Sequence, residues 1–381
     1  TRVHPEVFEA MAPFLADEYG NPSTGYRLGK TAKAAVDNAR EQVADLIGAQ
    51  ADEIVFTSCG TEADNSAIAS ALACQPEKRH IVLSSVEHSA ILLFAKSLAP
   101  ELECTELGVD QGGRIDLEEL RAAIRPDTAL VSIMWANNET GVCQPVAEAA
   151  AIAHQGGALF HTDAVNAVGK IPISVTGGSI DYLSLSGHKF HAPKGVGALF
   201  VRTGAPFEPL LIGGGQEAGR RAGTEAVAQI VGLGAASALA RQRLNSGGAG
   251  VVGALRDRLQ DEIFDKLDGL HLNGAPEHRL PNTLHLSIDG VPAGDLLLLA
   301  DENGLCIASG SACSTGKREP SRVMLAMGYG ADRALSSIRI SLSSLTTREE
   351  IDAATGILIH CIEKIRSLQP AGDSPVIISH P

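Results

Sequence analysis

Five short polar stretches carry most of the reactive side chains in this sequence, and each follows a run of apolar residues. Ser58-Cys-Gly-Thr-Glu62 follows residues 54–57, Glu87-His88 follows 81–85, and Asn137-Asn-Glu-Thr-Gly141 follows 129–135. Asp163 follows 158–162, and Ser186-Gly-His-Lys189 follows 180–185. A Gly-Thr pair (Gly60, Thr61) opening a helix offers N–H groups, a hydroxyl and the positive end of the helix dipole, which suit a phosphate. A sixth segment, "SGSACSTGKREPS" at 309–321, sets Cys313 among Gly, Ser and charged residues, where nothing could bury it. A free cysteine is ordinarily a small core hydrophobe. On a mobile loop it becomes an accessible nucleophile, and Lys317 and Arg318 nearby favour its thiolate.

Taken singly, each residue has a plain reading. Lys189 is a surface lysine, Thr61 a helix cap, Asp163 another cap and His88 a core histidine. Their convergence changes that. Apolar runs of four to seven residues, β-branched or aromatic-rich and almost uninterrupted, are expected of strands covered on both faces. With helical stretches between them (61–73 first), they make a largely parallel α/β sheet. Ligands bind such sheets beyond the carboxyl ends of the strands, so the polar stretches share one edge. A lysine, an acid and a phosphate cradle are what pyridoxal phosphate requires: a Schiff-base amine, a partner for the pyridinium nitrogen and an anion pocket. His188 and His191 flank Lys189 without acidic or cysteine companions, which argues against a metal.

After residue 201 the pattern changes. A Gly-rich loop (212–216) and "GRRAGTE" (219–225) lead into an apolar helix near 227–244, and Asn245–Gly250 is the candidate hinge. Beyond it come a helix (251–267), a strand (282–288), a helix (294–303), the Cys313 loop, a strand (337–342) and a helix (348–368), with an extended tail at 369–381. We expect a large domain at 12–245 and a smaller α/β domain made of 1–11 and 246–381.

The 381 residues suit two domains. The net charge of −14, without a Lys/Arg block, disfavours nucleic acid or an anionic membrane as partner. The odd set of seven cysteines, with no CxxC spacing, fits neither a disulfide framework nor a zinc ribbon. Together with the absence of a signal-peptide pattern, it leads us to expect a cytoplasmic protein.

The motifs run through nearly the whole chain: "GNPSTGYRLG" (20–29), "FTSCGTEADN" (56–65), "VEHSA" (86–90), "MWANNETG" (134–141), "HTDAVNAVGK" (161–170), "SLSGHKFHAPKG" (184–195), "GRRAGTE" (219–225), "RLPNT" (279–283), "SGSACS" (309–314) and "SSIRISLSSLTT" (336–347). In this order they resemble the group I cysteine desulfurases, of the pyridoxal-phosphate-dependent fold type I, class V aminotransferase-like proteins, and most of all the nitrogenase-associated branch. The resemblance implies a homodimer that takes sulfur from L-cysteine, leaving alanine and a Cys313 persulfide for an iron–sulfur scaffold or another acceptor protein. It implies that Lys189 carries the cofactor and moves protons, that Asp163 holds the pyridine nitrogen and that His88 stacks on the ring. Gly60, Thr61, Ser186 and His188 would bind the phosphate, with Thr224 reaching in from the neighbouring subunit. Arg339 would pair with the substrate carboxylate, helped by Asn138. Asn166 stands where the family has a glutamine touching the ring hydroxyl, and Tyr26 stands where a histidine is usual. A first "LDNNAT"-like strand is expected before Thr1. Two rivals remain: a selenocysteine or cystine lyase of the same fold, which needs no loop thiol, and a non-catalytic scaffold that binds sulfur acceptors.

Overall fold

Seven strands form the larger sheet: β1 (Ile54–Thr57), β2 (His80–Ser84), β3 (Glu103–Leu107), β4 (Thr128–Ser132), β5 (Leu159–Asp163), β6 (Tyr182–Ser186) and β7 (Gly197–Val201). The computed structural model describes residues 1–310 and 319–368. Cys313, Lys317, Arg318 and the tail from 369 lie outside them. The strand order is β1-β7-β6-β5-β4-β2-β3. Pairing is parallel from β6 through β5, β4 and β2 to β3. β7 runs antiparallel to both β1 and β6. β1 therefore points the same way as the parallel set, and the carboxyl ends of β1, β2, β4, β5 and β6 open on one edge. β3 escaped the apolar-run criterion because it is an edge strand with four partly or fully exposed residues out of five.

The helix Gly60–Ala73 buries Gly60, Ala63, Asp64, Ala67, Ile68 and Ala71. That spacing of three and four places one narrow stripe on the sheet, and the small residues let the helix lie close. The helices Pro5–Ala16 and Arg27–Ile47 pack against Val227–Asn245. Residues 1–11, expected with the smaller domain, fall in this first unit. The reason is local bonding: His4 N–H donates to the His191 carbonyl, and His191 Nδ1 bonds the Arg2 carbonyl at 2.8 Å.

The second unit takes residues 109–114, 139–142 and those from 249 onward. Its antiparallel sheet, in the order β10-β11-β9-β8, comprises β8 (Leu270–Leu272), β9 (Thr283–Ile288), β10 (Ala308–Ser309) and β11 (Ser337–Ser341). Leu259 and Ile263, Leu296, and Leu358 and Ile362 of three helices pack on Leu284, Leu286 and Ile338 to make a core of its own.

One buried ion pair ties the 219–225 segment to the first unit's sheet. Glu217 and Ala218 both sit in the left-handed region (φ 51° and 56°), a costly conformation for residues with side chains. What offsets that cost is the Glu217 carboxylate. It takes two guanidinium bonds from Arg40 at 2.7 Å and accepts from the Phe56 N–H of β1 at 3.0 Å. The Glu217 side chain is only 2% exposed. Truncating one partner of such a pair leaves an uncompensated buried charge. Glu217→Ala is therefore expected to lower the unfolding free energy by about 3–5 kcal/mol, read as a lower urea midpoint with an unchanged m-value.

Candidate functional site

The phosphate end is assembled by β1, β6 and β7 in register. Thr57 and Ser186 both stand opposite Gly197. A Cβ on Gly197 would lie 2.7 Å from the Leu185 carbonyl oxygen and 2.8 Å from the Cys59 carbonyl carbon. Glycine here lets the 58–60 turn fold down over the strands. Cys59 is extended and Gly60 begins the helix, so the helix N-terminus opens directly after β1. Gly60 is buried and Thr61 exposed at that end. Glu62 accepts from Ser58 N–H at 2.8 Å and from Arg221 at 2.8 and 3.1 Å, so the 219–225 segment is fastened to the same turn. Thr224, expected to act on the neighbouring subunit, lines a cleft with Thr57, Ser58 and Gly195 of its own chain.

Ser186 ends β6 and leads into the single turn Gly187–Lys189. His188 is half-buried; burial and then the charge of Lys189, with Lys194 and Lys170 behind it, push its pKa down to about 4. It is a neutral imidazole among cations at neutral pH. That turn therefore favours an anion, as a phosphate requires. His191 closes it in a left-handed conformation, φ 75°.

The opposite character prevails at the ends of β5 and β2. Asp163, Asp64 and Glu87 are 5%, 1% and 1% exposed. Asp163 Oδ1 accepts from Val165 N–H at 2.8 Å, and Glu87 Oε1 accepts from Met134 N–H at 2.7 Å. Burial raises the pKa of Asp163, while that hydrogen bond and the charges of His88 and Lys189 pull it back. A sheet edge that carries three buried acids and a lysine–histidine turn suits a zwitterionic ligand with a cationic ring and an anionic tail. Pyridoxal phosphate has that form, so the residues present fit it. Lys189, Asp163, His88, Gly60, Thr61, Ser186 and His188 are thus brought together on one edge.

His88 caps the helix Ser89–Ser97 by accepting from Ala90 N–H through Nδ1 at 3.2 Å. That contact fixes the ring and leaves Nε2 to carry a proton. Asn166 is braced: its amide donates to the Asn137 carbonyl at 3.1 Å, and its oxygen accepts from Lys170 Nζ at 2.7 Å. Both polar ends of the residue that replaces the family's glutamine are thereby occupied. Asn138 is half-buried in the turn after β4.

Two acids absent from the sequence-based set stand out. Asp64 lies on the buried stripe of the helix Gly60–Ala73. A carboxyl on an otherwise apolar stripe was the signal available. The other, in the second unit, is Glu139. There Arg339 lies on β11 between Ala308 and His285, and its side chain is largely buried, which lowers its pKa against the opposing effect of Glu139. Glu139 accepts a short hydrogen bond from Ser321, which caps the helix Arg322–Ala326. A Cβ on Gly310 would come within 2.4 Å of Glu139 Oε2 and 3.3 Å of His285 Nε2. Gly310 and Ser321 are thus both seated on one carboxyl group. Burial pushes the Glu139 pKa up to about 7, although Ser321, Arg339 and Arg322 all favour its charged form. Cys313 lies outside the described residues.

The aminotransferase class-V family model matches residues 1–354. A cysteine desulfurase of Cereibacter sphaeroides is 49% identical over 99% of this chain and 97% of its own length. Cysteine desulfurase NifS of Azotobacter vinelandii is 45% identical over 99% of this chain and 94% of its own. Among solved structures, a NifS-like protein matches with a TM-score of 0.89 at 37% identity, covering 97% of each chain.

The raised carboxyl has a measurable consequence for stability. Glu139 moves from an ordinary pKa of 4.5 in the unfolded chain to about 7 in the folded one. A carboxyl raised in this way contributes its full stability below pH 4.5 and loses it as pH climbs to 7. About 3 kcal/mol of unfolding free energy should disappear across that window. Glu139→Gln, which cannot ionise, should flatten that part of the stability–pH profile measured by urea unfolding. An unchanged profile would disprove the assignment.

Proposed function

This chain belongs to the aminotransferase class-V family, and from that premise we propose that it is a pyridoxal-phosphate-dependent cysteine desulfurase acting through the residues above. The observation that carries the reading is that buried Asp163 ends β5 while half-buried Lys189 sits in the turn just after the adjacent strand β6. When bound, pyridoxal phosphate supplies an electron sink for charge developing at the substrate α-carbon.

The chain's own residues do the rest. Lys189 Nζ would hold the cofactor and would serve as the base that takes the α-proton of L-cysteine. The Asp163 carboxylate would keep a proton on the ring nitrogen. His88 Nε2 would carry a proton to or from the reacting group. The N-terminus of the helix from Gly60, with Thr61, Ser186 and His188, binds the phosphate, and Thr224 of a second copy completes that pocket in a homodimer. Arg339, with Asn138, receives the substrate carboxylate as a bidentate pair. The Cys313 thiolate attacks the substrate sulfur: a sulfur–sulfur bond forms, the carbon–sulfur bond breaks and the carbon takes a proton. The products are alanine and a Cys313 persulfide, whose outer sulfur passes to an acceptor.

Similarity to a relative named NifS supports an iron–sulfur scaffold protein as that acceptor and a role in nitrogen fixation. The six cysteines among the described residues are free thiols, which supports a reducing, cytoplasmic setting. No helix among the described residues is long and apolar enough to cross a membrane.

Lys189→Ala should lose the visible absorbance that borohydride traps as a covalent adduct in the wild type. Cys313→Ala should keep that absorbance and its response to cysteine, yet form no persulfide detectable by mass spectrometry. Near wild-type turnover of L-cysteine by Cys313→Ala would overturn the assignment. Turnover confined to selenocysteine would favour a lyase, and a protein purified without bound cofactor would favour a scaffold.

A further inference from the structure

Asp64 plays no part in the mechanism above, yet its carboxyl stands at the centre of the site. One oxygen from Asp64, one from Asp163 and one ring nitrogen of His88 lie within 4.8 Å of one another. Asp64 is 1% exposed, and its Oδ1 has no hydrogen-bond partner. Two buried carboxyls this close cannot both be ionised, so one of the pair must hold a proton.

The surroundings decide which one. Burial raises the Asp163 pKa too, but Asp163 accepts the Val165 N–H and faces the charge of Lys189, both of which favour its anion. Asp64 faces acids. Burial raises its pKa well above the ordinary range, Asp163, Glu87 and Cys59 add to that, and a hydrogen bond with Ser184 opposes it. Its ion-pair neighbour among the described residues is His161, whose Nε2 is 3.7 Å from Asp64 Oδ1. That imidazole is no cation, because complete burial pushes its pKa down to about 3.

His161 is instead a link in a chain of neutral hydrogen bonds. Its Nε2 lies 3.0 Å from Ser184 Oγ and its Nδ1 lies 2.8 Å from Ser132 Oγ. A protonated Asp64 can donate to Ser184, Ser184 to His161 Nε2, and His161 Nδ1–H to Ser132. Every member then has a partner with the ring in its neutral form.

We propose that Asp64 is a positioning residue that keeps the proton of the carboxyl pair, held there by Ser184, His161 and Ser132, so that Asp163 is the single anion presented to the ring nitrogen. The inference rests on the reading that pyridoxal phosphate binds here. It assigns Asp64 no contact with substrate. Asp64 sets the charge of the partner that makes the contact.

Carbon-13 NMR of the wild-type holoenzyme labelled at its aspartate carboxyls should show one carboxyl still protonated at pH 7. That resonance should vanish in Asp64→Asn. In Asp163→Asn, where the repelling neighbour is gone, its titration midpoint should fall by at least about one pH unit. The cofactor dissociation constant of the wild type should change by about tenfold as that carboxyl titrates, and Asp64→Asn should show no such step. The proposal is overturned if every aspartate carboxyl is ionised by about pH 6, if the protonated resonance survives in Asp64→Asn, or if Asp163→Asn leaves the midpoint in place. Should Asp64→Asn fail to fold, the wild-type and Asp163→Asn titrations decide by themselves. Failure of the functional reading looks different: no borohydride-trapped chromophore appears on Lys189, while the carboxyl titration of the cofactor-free protein still reports on Asp64.

Discussion

A carboxylate withdrawn from water must be matched by a positive charge or surrender its ionisation. The first unit withdraws three of them, Asp64, Glu87 and Asp163, into one corner of the sheet edge. Such an arrangement is a poor way to stabilise a fold and a good way to bind a cationic ring. Its cost is recovered only when a group such as a pyridinium arrives, so the acid cluster is meaningful as half of a site whose other half is the ligand. The rest of the unit can be understood as what holds that half in place and sets an anion-binding turn at the correct remove.

Topology does the holding. Six strands run in one direction, five of them ending at the polar stretches on one edge, while the reversed strand β7 lies between β1 and β6. Without β7, β1 would have no partner linking it to the parallel set, and the helix N-terminus after Thr57 would have no fixed place beside Ser186. Gly197 makes that close approach possible. The Arg40–Glu217 pair then braces β1 from its other side, through the Phe56 N–H and the Ile54 carbonyl. A chain segment strained at Glu217 and Ala218 thus braces the strand that leads into the site, and Glu217 itself lines the cleft beside Thr57 and Ser58.

Much of this was legible in the residues. The apolar runs, with a sixth at 197–201 beside the five that precede polar stretches, located six of the seven strands of the larger sheet, and the polar stretches carried Lys189, Asp163 and His88 to the same edge. What escaped had physical causes. β3 is an edge strand whose alternation of polar residues carries no buried-strand signature. β8 and β10 have three and two residues, too short for any periodicity. The assignment of residues 1–11 depended on backbone bonds to the 188–191 turn, which no local pattern encodes. Asp64 and Glu139 were present in quoted motifs but unassigned, because their importance lies in burial and in neighbours distant along the chain.

The two units meet the same electrostatic problem with different solutions. In the first, a carboxyl pair beside few cations retains a proton, and the charge is concentrated on Asp163. In the second, Glu139 faces Arg339 and Arg322 and still titrates near neutrality, because desolvation outweighs both. A guanidinium cannot shed its charge near neutral pH, so Arg339 remains a cation whether Glu139 is ionised or not. The charge on Glu139 therefore decides how strongly Arg339 is held by its carboxylate neighbour. The same carboxyl seats Gly310 and Ser321. The electrostatic setting of Arg339 and the seating of Gly310 and Ser321 are therefore both tied to one proton on one buried side chain.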